Sequence, residues 1–234
     1  MGRPANGYRN ADGKRIPGVT TILGRFKDSG GLIHWAWQTG MDGNDYRAVR
    51  DRAAEAGTIA HALVECHIKL VTADTDELKE QATADHKALN QQCVEVETAI
   101  MDKAEQAYMA YCKWESQTKV EIVAQEMPLV SEVYQFGGTP DAIGTIGGEL
   151  CLLDWKTSNS VYTDYILQIA AYKALWEENH PDQLISGGFH LLRFSKEAGD
   201  FTDHFFGELD DAWTMFRLHR EAYELDKLLK KRVK

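Results

Sequence analysis

The residue pattern predicts an α/β fold, with a central mixed β-sheet flanked by helices and a helical N-terminal elaboration. Three observations carry this. From about Asp76 to Gln117 the chain has no proline and places apolar residues at mixed three- and four-residue spacing, as helices do. From Lys119 to Lys156 it changes to short alternating runs separated by turn residues, as strands do. A helix, two strands and a closing helix then follow, the order expected around one sheet.

Taken in chain order, "GVTTIL" reads as a short extended piece, and "GLIHWAWQTGM" and "GTIAHALVECHIKL" read as helices. The strand runs are "KVEIVAQEMPLV", "VYQFGGTPDAIGTI" and "ELCLLDWK". A helix over "DYILQIAAYKALWEE" has Asp164 as its expected N-cap and "NHP" as its stop. Strands over "LISGGFHLLRF" and "DFTDHFFGEL" precede a helix from about Asp210 to Lys231.

At 234 residues and 44% hydrophobic content the chain can bury a full core, and one elaborated domain is expected over residues 1–234. Residues 1–118 would be its mostly helical part and 119–234 its α/β core. No long apolar run suggests a membrane span, and the first residues lack the apolar core of a signal peptide, so a cytoplasmic setting is expected. Cys66, Cys93, Cys112 and Cys151 form no CxxC pair and are read as small buried hydrophobes.

A net charge of −10 argues against a general polyanion binder. The charge is uneven, however. Residues 1–50 carry eight Lys/Arg against four Asp/Glu, and "DKLLKKRVK" carries five bases against one acid, while residues 74–105 hold nine acids against three bases. Two basic ends could face a phosphate backbone; for the tail alone, a solvated helix end favoured by the macrodipole is an equal reading.

Gly147-Gly148 is a two-residue turn signal, because glycine supplies the positive φ of primed hairpin turns. With that turn, Ile146 faces Glu149 and, in the same register, Asp141 faces Asp154, with Cβ atoms about 5 Å apart. Lys156 then shares the face of Asp154, and Leu153 and Trp155 point to the other. Facing carboxylates repel, and a hard divalent cation offsets that repulsion well. The alternative is a solvent-facing hairpin, which "LCLL" argues against because such a strand is expected to be buried on both faces.

"TPD" at Thr139 to Asp141 followed by "DWK" at Asp154 to Lys156 resembles the PD-(D/E)XK nuclease superfamily. "GTIAH" at Gly57 to His61 and "QIAAY" at Gln168 to Tyr172 are similar to further motifs of its RecB-like branch. "VTTIL", "LIHWA", "GTIAHALVE" and "LCLLDWKTS" occur in an order like that of the mitochondrial genome-maintenance type of exonuclease and its phage-encoded relatives. The resemblance implies a PD-(D/E)XK restriction-endonuclease-like core and a single nuclease domain whose catalytic part is 119–234.

The resemblance also implies roles. Asp141 and Asp154 would bind metal, with the carbonyl of Trp155 as a further ligand, and Lys156 would orient water and stabilise charge on phosphate. A lone helical His61 would ordinarily be structural; the resemblance makes it a metal ligand, with Glu65 one turn on and on its face, while His67 lies off that face. Glu126 would support metal or water, or else be an exposed strand residue. Gln168 and Tyr172, four apart on one helical face, would contact phosphate or the lysine's surroundings. Thr157 and Ser158 could donate to phosphate. Trp35, Trp37 and Tyr46 could stack bases but read more readily as core.

The implied activity is a Mg²⁺- or Mn²⁺-dependent DNA exonuclease acting on single-stranded DNA or free ends, in replication, recombination or repair. A bacterial or phage-infected cell is the expected setting, and phage or host recombination proteins are candidate partners. No iron–sulfur cluster is expected, because no cysteine follows Cys151. The alternatives are an endonuclease or RNase on the same fold, and an inactive nucleic-acid-binding scaffold.

Overall fold

The computed structural model describes residues 4–233. Five helices come first: α1 (Val19–Phe26), α2 (Gly30–Met41), α3 (Tyr46–Thr72), α4 (Asp76–Gln92) and α5 (Thr98–Thr118). The expected extended piece "GVTTIL" is in fact the start of α1. Val19, Ile22 and Leu23 recur at helical spacing and all three are buried, so packing of that face outweighs the β-branched preference for strand. The long helical stretch divides into α4 and α5 at residues 93–97, where β-branched Val94 and Val96 fall. Lys119 ends α5 in the left-handed conformation, φ 54°, its N–H donating to the Glu115 carbonyl at 2.8 Å.

The strands are β1 (Glu121–Gln125), β2 (Leu129–Ser131), β3 (Phe136–Gly138), β4 (Ala142–Ile146), β5 (Glu149–Lys156), β6 (Phe189–Phe194) and β7 (Phe201–Phe206). Helix α6 (Thr163–Asn179) links β5 to β6, and α7 (Asp210–Arg232) closes the described chain. The main sheet has the order β1-β4-β5-β6-β7, with β5 and β6 parallel and the other neighbours antiparallel. Strands β2 and β3 form a separate pair. The sheet is therefore mixed and flanked by helices, as the sequence predicts.

Gly147 and Gly148 turn between β4 and β5 at φ 62° and 87°, and the register runs Ile146↔Glu149 to Ala142↔Leu153. That is the register read from the sequence. Leu152 faces α1, α6 and α7, where Val19, Ile22, Leu167, Leu175 and Phe216 pack. Leu153 and Trp155 face α3 and α5, among Ala60, Val64, Ala107, Tyr111 and Trp114. Burying β5 on both faces fixes which way Asp154 and Lys156 point.

Three further expectations need correction. Asp164 does not cap α6: Tyr162 holds that position, and Asp164 sits in the first turn, where its charge still suits the helix dipole. The strand expected over "LISGGFHLLRF" starts only at Phe189, because Gly187 packs on Cys151 and Gly188 turns at φ 88°. Trp35, Trp37 and Tyr46 do not form core. Trp35 meets Tyr46 edge-on and Trp37 is 58% exposed, on a helix that also exposes Leu32, Ile33 and Met41. No helix among the described residues is long and apolar enough to cross a membrane.

Candidate metal centre and cleft

The site forms where β4 begins and β5 ends. Asp141 lies one residue before β4, and its carboxylate accepts the Trp155 N–H at 2.7 Å, so it closes the ladder opposite Asp154 in place of a main-chain carbonyl. Asp154 is fully buried, and Lys156 forms a close ion pair with it. Lys156 Nζ also lies 5.0 Å from the centre of the Tyr165 ring. A side-chain exposure of 1% for Asp154 and 14% for Lys156 puts this pair beneath the cleft floor rather than on it.

Above the pair opens a cleft of about 460 Å³, lined by His61, Glu65, Glu126, Asp141, Thr157 and Tyr172, and also by Tyr8, Thr20 and Gly57. His61 reaches it from α3, and one helical turn further Glu65 shares its face. Gly57 lets α3 come this close: a Cβ there would lie 2.8 Å from the Thr157 hydroxyl. Glu126 follows β1 at φ 49°, a conformation that side chains seldom adopt, and its N–H donates to the Asp141 carbonyl at 3.0 Å. That bond turns the Glu126 side chain into the cleft. His61, Glu126 and Asp141 each offer a ligand atom within 4.8 Å of the others.

The electrostatics of these groups suit a cation. Burial raises the Asp154 carboxyl to about 6, although Lys156 pulls it down, and burial also raises Asp141 despite Lys156 and the Trp155 N–H. Glu126 is pushed up to about 8 by burial and then by Asp141. Burial and the positive Lys156 lower His61 to about 4, so its 3.8 Å approach to Asp141 is that of a neutral imidazole and a carboxylate, not an ion pair. Desolvation alone would lower Lys156, but Asp154 and Asp141 outweigh it and hold the ammonium charged.

Lys156 meets Asp154 Oδ2, but Oδ1 is buried without a partner among the described residues. A buried carboxylate in that state is costly unless charge is supplied. Glu126, Asp141 and the neutral imidazole of His61 are a donor set that a hard divalent cation accepts, so these residues fit such an ion; Asp154 is not in this group and lies behind Asp141, paired with Lys156.

Tyr172 is buried beside the cleft, and its hydroxyl accepts from Gln168 Nε2 at 2.8 Å. Gln168 thus acts on the cleft through Tyr172 and does not line it. Burial, then the charges of Asp154 and Asp141, raise Tyr172 far above the ordinary tyrosine range, which keeps its proton on. Thr157 lines the cleft, whereas Ser158 donates to the Ser160 carbonyl at 2.8 Å. His67 bonds Tyr108 and Glu115 away from the cleft, as its helical phase implies.

Sequence reasoning did not find Tyr8. Its ring covers Gly137, where a Cβ would fall 2.3 Å from it, and its hydroxyl bonds that of Thr139 at 2.9 Å. The paired glycines Gly137-Gly138 signal a close approach, but not by what. Glu65 was visible as a neighbour of His61, without a role.

The sequence model of the PD-(D/E)XK nuclease superfamily matches residues 33–230, and the chain belongs to that superfamily. No curated protein matches it. Among solved structures, LHK-Exo, an alkaline exonuclease from Laribacter hongkongensis, in complex with dAMP is 13% identical. It aligns over 77% of this chain and 95% of its own, with a TM-score of 0.41. A candidate exonuclease from Eubacterium rectale is 14% identical over 63% of this chain and 62% of its own, TM-score 0.41. SSO0001 is 15% identical over 70% and 84%, TM-score 0.37.

Proposed function

We propose that the protein is a Mg²⁺- or Mn²⁺-dependent DNA exonuclease that hydrolyses phosphodiester bonds of single-stranded DNA or of DNA ends, in replication, recombination or repair. The observation that carries the chemistry is the buried Asp154, short of donors, set beside Asp141 and Lys156 under an open cleft. On this reading Asp141, Asp154, His61 and the Trp155 carbonyl hold the ion, with Glu126 beside them. When bound, the cation acidifies water and offsets charge on the phosphate.

The chain's own groups do the rest. Lys156, charged and held between Asp154 and the Tyr165 ring, points a fixed ammonium at the reacting phosphate and orients the attacking water. It costs little reorganisation there, because it is already desolvated. Glu126, in the cleft beside Asp141, would orient the attacking water, and a bound cation would lower its raised proton affinity enough for it to accept the water's proton. Tyr172, kept protonated and aligned by Gln168, donates to a phosphate oxygen, and Thr157 offers a second hydroxyl.

The overall negative charge disfavours long duplex tracking.

The test uses end-labelled linear single-stranded, linear double-stranded and circular single-stranded DNA, each with Mg²⁺ or EDTA. Digestion of linear but not circular strands, abolished by EDTA, is expected. Cutting of circles would replace the reading with an endonuclease, and binding without cleavage under every divalent metal would leave only the scaffold.

A further inference from the structure

Basic residues from the two basic regions of the sequence, Arg25 from the first and Lys227 and Lys230 from the second, come together in space. Helix α1 packs on the last turns of α7, and a groove of about 410 Å³ between them is lined by Thr21, Gly24, Arg25, Tyr223, Asp226, Lys227 and Lys230. Arg25 reaches Asp226 at 2.6 Å and Lys230 reaches the same oxygen at 3.1 Å, so one carboxylate orients two cations. Lys227 lies 3.3 Å from Glu224, which Arg220 also engages. Three bases against one acid line the groove, in a protein whose net charge is −10. A helix end favoured by its dipole accounts for the α7 lysines alone, but not for an arginine converging on them from α1, 201 residues earlier.

Two features tie the groove to the cleft. Thr20 lines the cleft and Gly24 lines the groove; they stand four apart on one exposed face of α1, one turn or about 5.4 Å along its axis. Gly24 also sits inside a helix, where glycine weakens the fold, and a Cβ there would meet nothing within 4 Å. No packing inside the chain requires that glycine, whereas a backbone lying close on α1 would.

We propose that this groove is a second binding site, for the phosphodiester backbone of the DNA strand as it approaches the cleft, with Lys227, Lys230 and Arg25 meeting phosphates and Gly24 the bare floor. This rests on the nuclease reading. Lys227 and Lys230 are half exposed, so their replacement leaves the fold intact.

The experiment is a fluorescence-anisotropy titration of a labelled thymidine oligonucleotide of about 16 nucleotides in EDTA, repeated over a range of salt. The double variant Lys227→Gln/Lys230→Gln is expected to bind roughly 10-fold more weakly at low salt and to lower the slope of log affinity against log salt by about 1.4. Gly24→Leu, which fills the groove without touching a charge, is expected to weaken binding as well. Lys79→Gln/Lys87→Gln, the same charge change on the acidic helix α4, is the control and should leave the slope alone. Equal slopes and affinities for the groove variant and the parent would overturn the proposal, and so would equal losses in groove variant and control. Cleavage is assayed separately with Mg²⁺, so a parent that binds but does not cut defeats the nuclease reading and not the groove.

Discussion

The floor and the mouth of the cleft are built on opposite terms. At the floor, Asp154 and Lys156 are held by a strand buried on both faces, and neither can move without disturbing two cores. At the mouth, His61, Glu65 and Glu126 stand on a helix face and a strained turn, only partly buried. The contrast teaches a division of labour. On the proposed reading, groups that must not reorganise sit in the sheet, and groups that would tune metal and protons sit where the chain can adjust.

The largest expected effect breaks the floor. Lys156→Ala or Asp154→Asn should lower the cleavage rate by about 10³-fold or more with Mg²⁺ saturating, measured on end-labelled single strands beside a circular-dichroism check of folding. Retention of the parent rate by both variants would remove the assignment. Next, Glu126→Gln and His61→Ala at the mouth should act through the ion, raising the Mg²⁺ concentration for half-maximal rate by roughly 10–100-fold. A pure loss of rate at unchanged Mg²⁺ requirement would erase the difference between floor and mouth.

The pH dependence sharpens it further. Glu126 and Asp154 bind protons more tightly when folded than when unfolded, so the folded state carries more protons between the ordinary carboxylate range and about 8. Stability of the metal-free protein should therefore fall as pH rises through that window, and Mg²⁺ should restore it, as melting temperatures with and without EDTA would show. The same scan on Glu126→Gln should be flatter. Smallest of all, Tyr8→Phe removes one hydrogen bond to Thr139 and should cost about 1 kcal/mol in urea unfolding.

Much of the floor was legible in the sequence, because a two-glycine turn fixes a register and a register fixes faces. Asp141, Asp154 and Lys156 follow from counting. His61 with Glu65 follows from helical phase once a motif draws attention to it. The mouth was less legible. The left-handed backbone of Glu126 depends on a hydrogen bond to Asp141 that no local pattern encodes, and Tyr8 reaches Gly137 across the whole N-terminal half. The extended reading of α1 follows from four β-branched residues, Val19 to Ile22, outvoting a short 3–4 repeat, and the core reading of the aromatics on α2 from the usual burial of such rings.

Tyr8 bonds Thr139 across 131 residues, and Arg25 pairs with Asp226 across 201. The cleft wall supplied by α1 is thus tied to the middle and the end of the chain, because Val19, Ile22 and Leu23 share one core with Phe216 of α7. During synthesis the residues of the cleft wall leave the ribosome first, whereas α7, the helix on which α1 packs, follows after all the other described elements.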